Sequence, residues 1–188
     1  MITFTLALHG PFHVSTGTPD EGMDSPIDLA CPLPSTSLKG LLRAEATERL
    51  DIPQPVIDEI FGRSAWSASN DPQRSAPGAW SWTDALFEEV TPTTFARIRI
   101  DDAGRTVPGF LGFGMHAWAR GGTFTVEPRI RLKDTVRERH TLVLRAAARS
   151  VSSLGGDRRR GSGWVTMTDP LPWTAADTAN LLALRGTA

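Results

Sequence analysis

Ile2, Phe4, Leu6 and Leu8 alternate with Thr3, Thr5 and Ala7 until Gly10-Pro11 interrupts them, and a helical spacing follows. This switch of period restricts the fold more than any other feature. Alternation marks a half-buried strand. Downstream, Leu38, Leu42, Ala46 and Leu50 recur every fourth residue, with Leu41 widening the stripe, so one helix face is expected to look inward. Ser35 or Ser37 is the expected N-cap, although no Glu or Gln stands three residues on to complete a capping box. A short helix over 55–61 ends at Gly62. Trp80, Trp82 and Phe87 mark a strand over 79–87, and Arg97 and Arg99 alternate with Ile98 and Ile100 in a strand with one basic face. Phe124, Val126, Ile130 and Leu132 give a returning strand, with Arg129 and Arg131 on its other face. Leu142, Val143, Ala146, Ala147, Val151 and Leu154 space a helix over 138–154, followed by a strand over 164–168 and a helix over 172–185. The order strand, helix, strand, strand with a long insertion, helix, strand is the split β-α-β of an α+β, ferredoxin-like fold.

The connections carry their own signals. Residues 13–26 are dense in Gly, Pro, Ser, Thr and Asp, and a loop of that length inside a domain tends to be functional or disordered. Residues 64–78 read as a Ser-, Ala- and Pro-rich connection in which Trp66 packs locally. Residues 101–122 mix glycine with aromatic side chains and read as a projecting hairpin. Met115, His116 and Trp118 either form its exposed tip or fold back as a small satellite core.

At 188 residues with 40% hydrophobic content, the chain suits one domain carrying an insertion. Cys31 is the single cysteine, which excludes an intrachain disulfide and a Cys-based zinc cluster and fits a reducing compartment, so the cytoplasm is the expected location. The N-terminus lacks a basic n-region, and no apolar run approaches the length that spans a bilayer. Net charge is −1, but its distribution is uneven: residues 1–96 hold 5 Lys/Arg against 13 Asp/Glu, whereas residues 97–164 hold 14 against 6. Such asymmetry indicates a basic surface on a nearly neutral protein.

Two stretches present such a surface to an anion. Lys39 and Arg43, four residues apart, project beside a helix N-terminus whose free N–H groups favour negative charge. In Leu154-Gly155-Gly156-Asp157-Arg158-Arg159-Arg160-Gly161-Ser162-Gly163, glycines let the backbone turn its N–H groups toward an anion and three arginines supply charge. The two stretches are expected to meet and form one trough that suits a polyanion.

Five features in order, Phe12-His13-Val14, Gly22-Met23-Asp24-Ser25-Pro26, Leu33-Pro34-Ser35-Thr36-Ser37-Leu38-Lys39-Gly40-Leu41-Leu42-Arg43, Ile60-Phe61-Gly62 and the Gly155 to Gly163 loop, give the chain a family resemblance. It resembles the RAMP superfamily of CRISPR-associated proteins, most closely the backbone subunit of type III (Csm or Cmr) interference complexes. A palm over about 1–100 and 123–168, a thumb over about 101–122 and a C-terminal helix over about 172–186 would follow. The resemblance implies a subunit that polymerises on guide RNA beside other type III subunits, grips its backbone, and cuts the complementary target RNA. The cut would use Asp24, assisted by Mg²⁺ or Mn²⁺ held at that residue; the loop acids Asp20, Glu21 and Asp28 either join the metal or face water. RNA contacts would fall to His13, Ser35, Ser37, Lys39, Arg43, Gly155, Gly156, Arg158, Arg159, Arg160, Met115 and Trp118. Ser35 departs from the family, where glycine usually precedes the serine pair. A non-catalytic scaffold or capping subunit, and a guide-precursor-processing nuclease using His13 or another histidine as general acid or base, are the alternatives. Asp24 itself is also readable as an ordinary turn residue before Ser25-Pro26.

Overall fold

A computed structural model describes residues 1–19, 22–63 and 75–185. Its elements are β1 (Ile2–Leu8), α1 (Ser35–Ala44), a π-helical turn (Glu45–Arg49), α2 (Gln54–Phe61), β2 (Gly62–Arg63), β3 (Ala76–Pro77), β4 (Trp80–Trp82), β5 (Leu86–Phe87), β6 (Thr91–Ile100), β7 (Thr106–Trp118), β8 (Gly121–Pro128), α3 (Asp134–Ser150), a 3₁₀ turn (Arg158–Arg160), β9 (Val165–Thr168) and α4 (Ala175–Arg185). The main sheet runs β4-β8-β1-β9, all antiparallel, with β5 also on β8. Split β-α-β connectivity gives this order, so the fold is ferredoxin-like as the pattern implied.

Alternation along β1 and β8 sorts the two sheet faces. Phe4, Leu6, Phe124 and Val126 are buried against Leu38, Leu42, Ile57, Ile60, Val143 and Leu144 of the helices. Thr3, Thr5, Thr123, Thr166 and Thr168 point away and are exposed. β-branched residues suit such a solvated pleat. On the helical side, buried Arg145 pairs with Asp169 at 2.9 Å and with Asp177 at 3.6 Å, fastening α4 to α3. Thr174 and Asp177 close the start of α4 reciprocally: the Thr174 hydroxyl accepts the Asp177 N–H at 3.2 Å and the Asp177 carboxylate accepts the Thr174 N–H at 2.8 Å.

Several boundaries differ from the sequence expectation. The hairpin begins at Thr91: β6 pairs with β7 from Thr91↔Trp118 outward in a sheet of its own, so 95–100 belongs to the hairpin and is no palm strand. Glycines shape the second strand of this hairpin. A side chain at Gly114 would run into the Phe95 ring, and one at Gly112 would stand 3.2 Å from the Asp24 carboxylate, so the glycine-rich run is a strand that makes room for its neighbours. The 79–87 strand divides into β4 and β5 around Thr83–Ala85, where the Ala85 N–H turns to the Leu33 carbonyl at 3.0 Å. α3 starts at Asp134 and stops at Ser150, because Val151 is extended. Trp66 lies outside the described residues.

Candidate functional site

Three segments meet beyond the end of β1: the loop after it, the base of the β6-β7 hairpin, and the glycine-arginine turn. Phe12 and Ala117 exchange both backbone hydrogen bonds, at 2.9 and 2.8 Å. The Asp24 N–H donates to the Phe113 carbonyl at 2.9 Å, and the Met115 N–H donates to the Ser25 carbonyl at 3.1 Å. On the other side the Gly156 N–H reaches the His13 carbonyl and the Gly163 N–H reaches the Pro11 carbonyl, both at 2.7 Å. Gly155 has a φ of 74° and presses against His13, so no side chain fits there.

Asp24 is exposed on this seam. Its Oδ2 accepts the Phe113 N–H at 2.8 Å, which pins the loop to β7 and leaves Oδ1 as the other carboxylate oxygen. Asp20 and Glu21 lie outside the described residues, and Asp28 turns an oxygen to the Ala30 N–H at 2.9 Å. Among the described residues no three His, Cys, Asp or Glu side chains converge on one point. This donor set suits Mg²⁺ or Mn²⁺ only where water and phosphate oxygens supply the remaining ligands.

His13, expected to touch RNA, is instead 5% exposed. Its Nδ1 donates to the Met115 carbonyl at 2.5 Å, and its Nε2 lies 2.9 Å from Ser25 Oγ. A carbonyl only accepts, so Nδ1 carries the proton and, in the neutral ring, Nε2 accepts from the Ser25 hydroxyl.

The glycine-arginine turn presents its charge outward. Asp157 and Gly161, both left-handed at φ 57° and 85°, bracket Arg158, Arg159 and Arg160, which are exposed and form no ion pair among the described residues. Asp157 faces inward, where its carboxylate pairs with Arg97 of β6 and lies 3.8 Å from His116 Nε2. His116 stacks on Phe95 at 4.3 Å. Burial, and then the neighbouring His13, push its pKa below the usual histidine value.

The helix tip lies in a different neighbourhood. Pro34 occupies the N-cap position, and the Ser35 N–H donates to Asp84 Oδ1 at 2.7 Å, so a carboxylate stands where an anion was expected. Ser37 turns its N–H back to the Pro34 carbonyl. Lys39 sits with Arg43 and Arg129; burial, followed by the repulsion of those two, lowers its pKa. Arg43 is 3.9 Å from Asp58. The partners of this tip are Asp84, Asp58 and Arg129, whereas those of the turn are Pro11, His13, Arg97 and His116. The tip and the turn, expected to join in one trough, have none of these partners in common.

Met115 and Trp118 are at the hairpin base, not its tip. Met115 is half-buried against the core, and Trp118 pairs with the first residue of β6. The far end is the Asp101 to Arg105 turn. Nearer to it, Arg99 lies over the Phe110 ring at 5.1 Å, and Ile98, Ile100 and Leu111 are exposed on the opposite face. Sequence reading missed Phe110, Ser25 and Asp84. Continuing the Arg97, Arg99 alternation across the hairpin register would have found the first.

A family model described as the RAMP superfamily matches residues 5–166. Two solved structures share the fold. A chain of "Type III-B Cmr-beta Cryo-EM structure of the Apo state" aligns at TM-score 0.65 and 12% identity, covering 90% of this chain and 96% of that one. A chain of "Cryo-EM structure of the Type III-B Cmr-beta bound to cognate target RNA" aligns at 0.65 and 12%, covering 89% and 96%. No curated protein matches in sequence. None of the described helices is long and apolar enough to cross a membrane.

Proposed function

The chain belongs to the RAMP superfamily, and from that premise we propose that it is a backbone subunit of a type III CRISPR effector complex that holds guide RNA and cuts guide-bound target RNA at Asp24. The observation that carries this reading is the seam. An exposed carboxylate is fixed at the foot of a projecting hairpin, with three outward arginines on the turn that backs the same junction. RNA supplies its own nucleophile. The ribose 2′-oxygen attacks the adjacent phosphorus in line, Asp24 Oδ1 takes the 2′ proton, the bond to the 5′-oxygen breaks, and that oxygen takes a proton from water. Products are a 2′,3′-cyclic phosphate and a 5′-hydroxyl. Exposed arginines of the turn hold phosphates in register. Mg²⁺ or Mn²⁺ at Asp24, ligated mainly by water and RNA, would stabilise charge at the phosphate. Copies of this chain, other type III subunits, guide RNA and target RNA are the proposed partners.

Cleavage of labelled target RNA by the assembled complex tests the reading. Asp24→Asn, in which the amide oxygen can keep the Phe113 hydrogen bond, is expected to stop cleavage at unchanged RNA affinity. Cleavage at the wild-type rate would end the proposal. A second reading, a non-catalytic scaffold, draws on the same bond, since Asp24 already serves the Phe113 N–H as a structural pin. Protection of target RNA without cutting in Mg²⁺ or Mn²⁺ would select it. Metal-independent guide processing by His13 gains no support, because both ring nitrogens are engaged within the protein.

A further inference from the structure

We propose that His13 is a positioning residue that locks the loop carrying Asp24 to the hairpin, so that the carboxylate and the hairpin keep one fixed relation. The inference rests on the Asp24 reading and assigns His13 a duty other than RNA contact.

Ser25 and Met115 are joined twice. Their backbones share one hydrogen bond, Met115 N–H to Ser25 carbonyl at 3.1 Å, and the His13 ring bridges the Met115 carbonyl and the Ser25 hydroxyl at 2.5 and 2.9 Å. One residue earlier, Asp24 holds Phe113 by its N–H and by its carboxylate. The His13 carbonyl also takes the Gly156 N–H, so a single residue touches the loop, the hairpin and the turn. Phe95 and His116 approach the ring edge-on, with centroids 6.2 and 6.0 Å away.

Shape alone does not explain the choice of histidine. An apolar ring would fill the space yet leave the Met115 carbonyl and the Ser25 hydroxyl without this partner. Imidazole in the Nδ1–H form presents a donor to one and an acceptor to the other across one rigid ring. Rigidity matters at a cutting site, since displacing a reacting group by about 1 Å lowers rates strongly.

Nuclear magnetic resonance of the full chain, ¹⁵N-labelled, reads the lock directly. His13 is expected in the Nδ1–H tautomer. Ser25→Ala should speed exchange of the Phe113 amide about tenfold, the loss of one buried hydrogen bond, while Phe4 and Phe124 in the sheet stay protected. Ser25→Thr, which keeps the hydroxyl, should restore protection. His13→Asn should loosen Phe113 similarly, and the double variant should be no worse than either single one. With guide and target RNA, Ser25→Ala should slow cutting and spread it to flanking phosphates at unchanged affinity. Unchanged Phe113 exchange in Ser25→Ala, or His13 in the Nε2–H tautomer, would overturn the proposal. If wild type binds target but cuts none, the Asp24 reading fails, and the exchange result still decides the lock.

Discussion

Asp84 caps α1 from 49 residues away: its Oδ1 accepts the Ser35 N–H at 2.7 Å. The backbone and then the side chain of Ser35 hold the Asp84 carboxyl below the ordinary carboxylate range. Its stabilising effect is therefore complete above the unfolded pKa of about 3.9 and is lost as pH falls through the lower folded value. Asp84→Ala should cost about 1 kcal/mol at neutral pH, the worth of a helix cap, and the deficit should shrink in acid. Urea denaturation at pH 7 and at about pH 3 checks both statements. An equal deficit at the two pH values would remove Asp84 as the cap.

Gly114→Ala should destabilise the hairpin base, because the added methyl group runs into the Phe95 ring, which also carries the stacked His116. Overpacking of this kind costs about 1–3 kcal/mol. Gly104→Ala in the hairpin turn meets no neighbour but sits at φ 77°, so it should cost only about 1 kcal/mol through backbone strain. Thermal melts of the two variants give the order.

Elements with strong periodicity were legible in the sequence: Phe4 and Leu6 opposite Thr3 and Thr5, and Leu38 with Leu42, fix β1 and α1 and with them the sheet order. The hairpin is legible over 101–122, but its first strand is not, because Arg97 and Arg99 alternating with Ile98 and Ile100 read the same in a palm strand as in β6, which pairs with β7 from Thr91. The protein partner of the helix tip is not legible either. A free N-terminus looks the same in sequence whether a ligand or a distant Asp84 covers it. The motifs single out Asp24, Lys39, Arg43 and the three arginines, but the partners that surround them, Phe113 at Asp24 and Asp58 at Arg43, are tertiary and no local pattern encodes them.

Because the partners of the helix tip and those of the turn are different residues, their contributions to binding should be independent. If RNA crosses both, Arg159→Ala and Lys39→Ala should weaken binding additively to within about 0.5 kcal/mol, since they share no partner. Replacing Arg158, Arg159 and Arg160 by Ala should flatten the dependence of log affinity on log salt by about 2, given roughly 0.7 per phosphate on a single strand. Filter binding across a salt series measures it, and an unchanged slope would take the turn out of the interface.

Stability should fall between neutral and mildly acid pH. Burial lowers the pKa of His140, which accepts the Trp80 indole N–H at 3.1 Å, and likewise that of His116. Below the unfolded value of about 6.5 the unfolded chain binds protons that the folded chain refuses. Stability is thus complete above that pH and declines as pH drops toward the lowered folded values. Urea midpoints from about pH 7.5 to 5.5 should decrease, and His116→Gln should remove part of the slope.

Asp157 holds Arg97 and faces His116 while three arginines follow it in sequence. Its carboxylate restrains one guanidinium and offsets part of the turn's charge, so the basic patch is weaker than its sequence suggests. Asp157→Asn keeps a residue that tolerates the left-handed φ of 57° and removes the negative charge. Arg97 is then free to meet a phosphate, and RNA affinity should rise while the salt slope steepens by about 0.7. The same change takes a carboxylate away from His116, so its pKa should fall further, visible by proton titration of the ring. A drop in affinity instead would mean that Asp157 matters for the shape of the turn rather than for its charge, and Asp157→Gly, which relieves the backbone but keeps no side chain, would then fail to recover it.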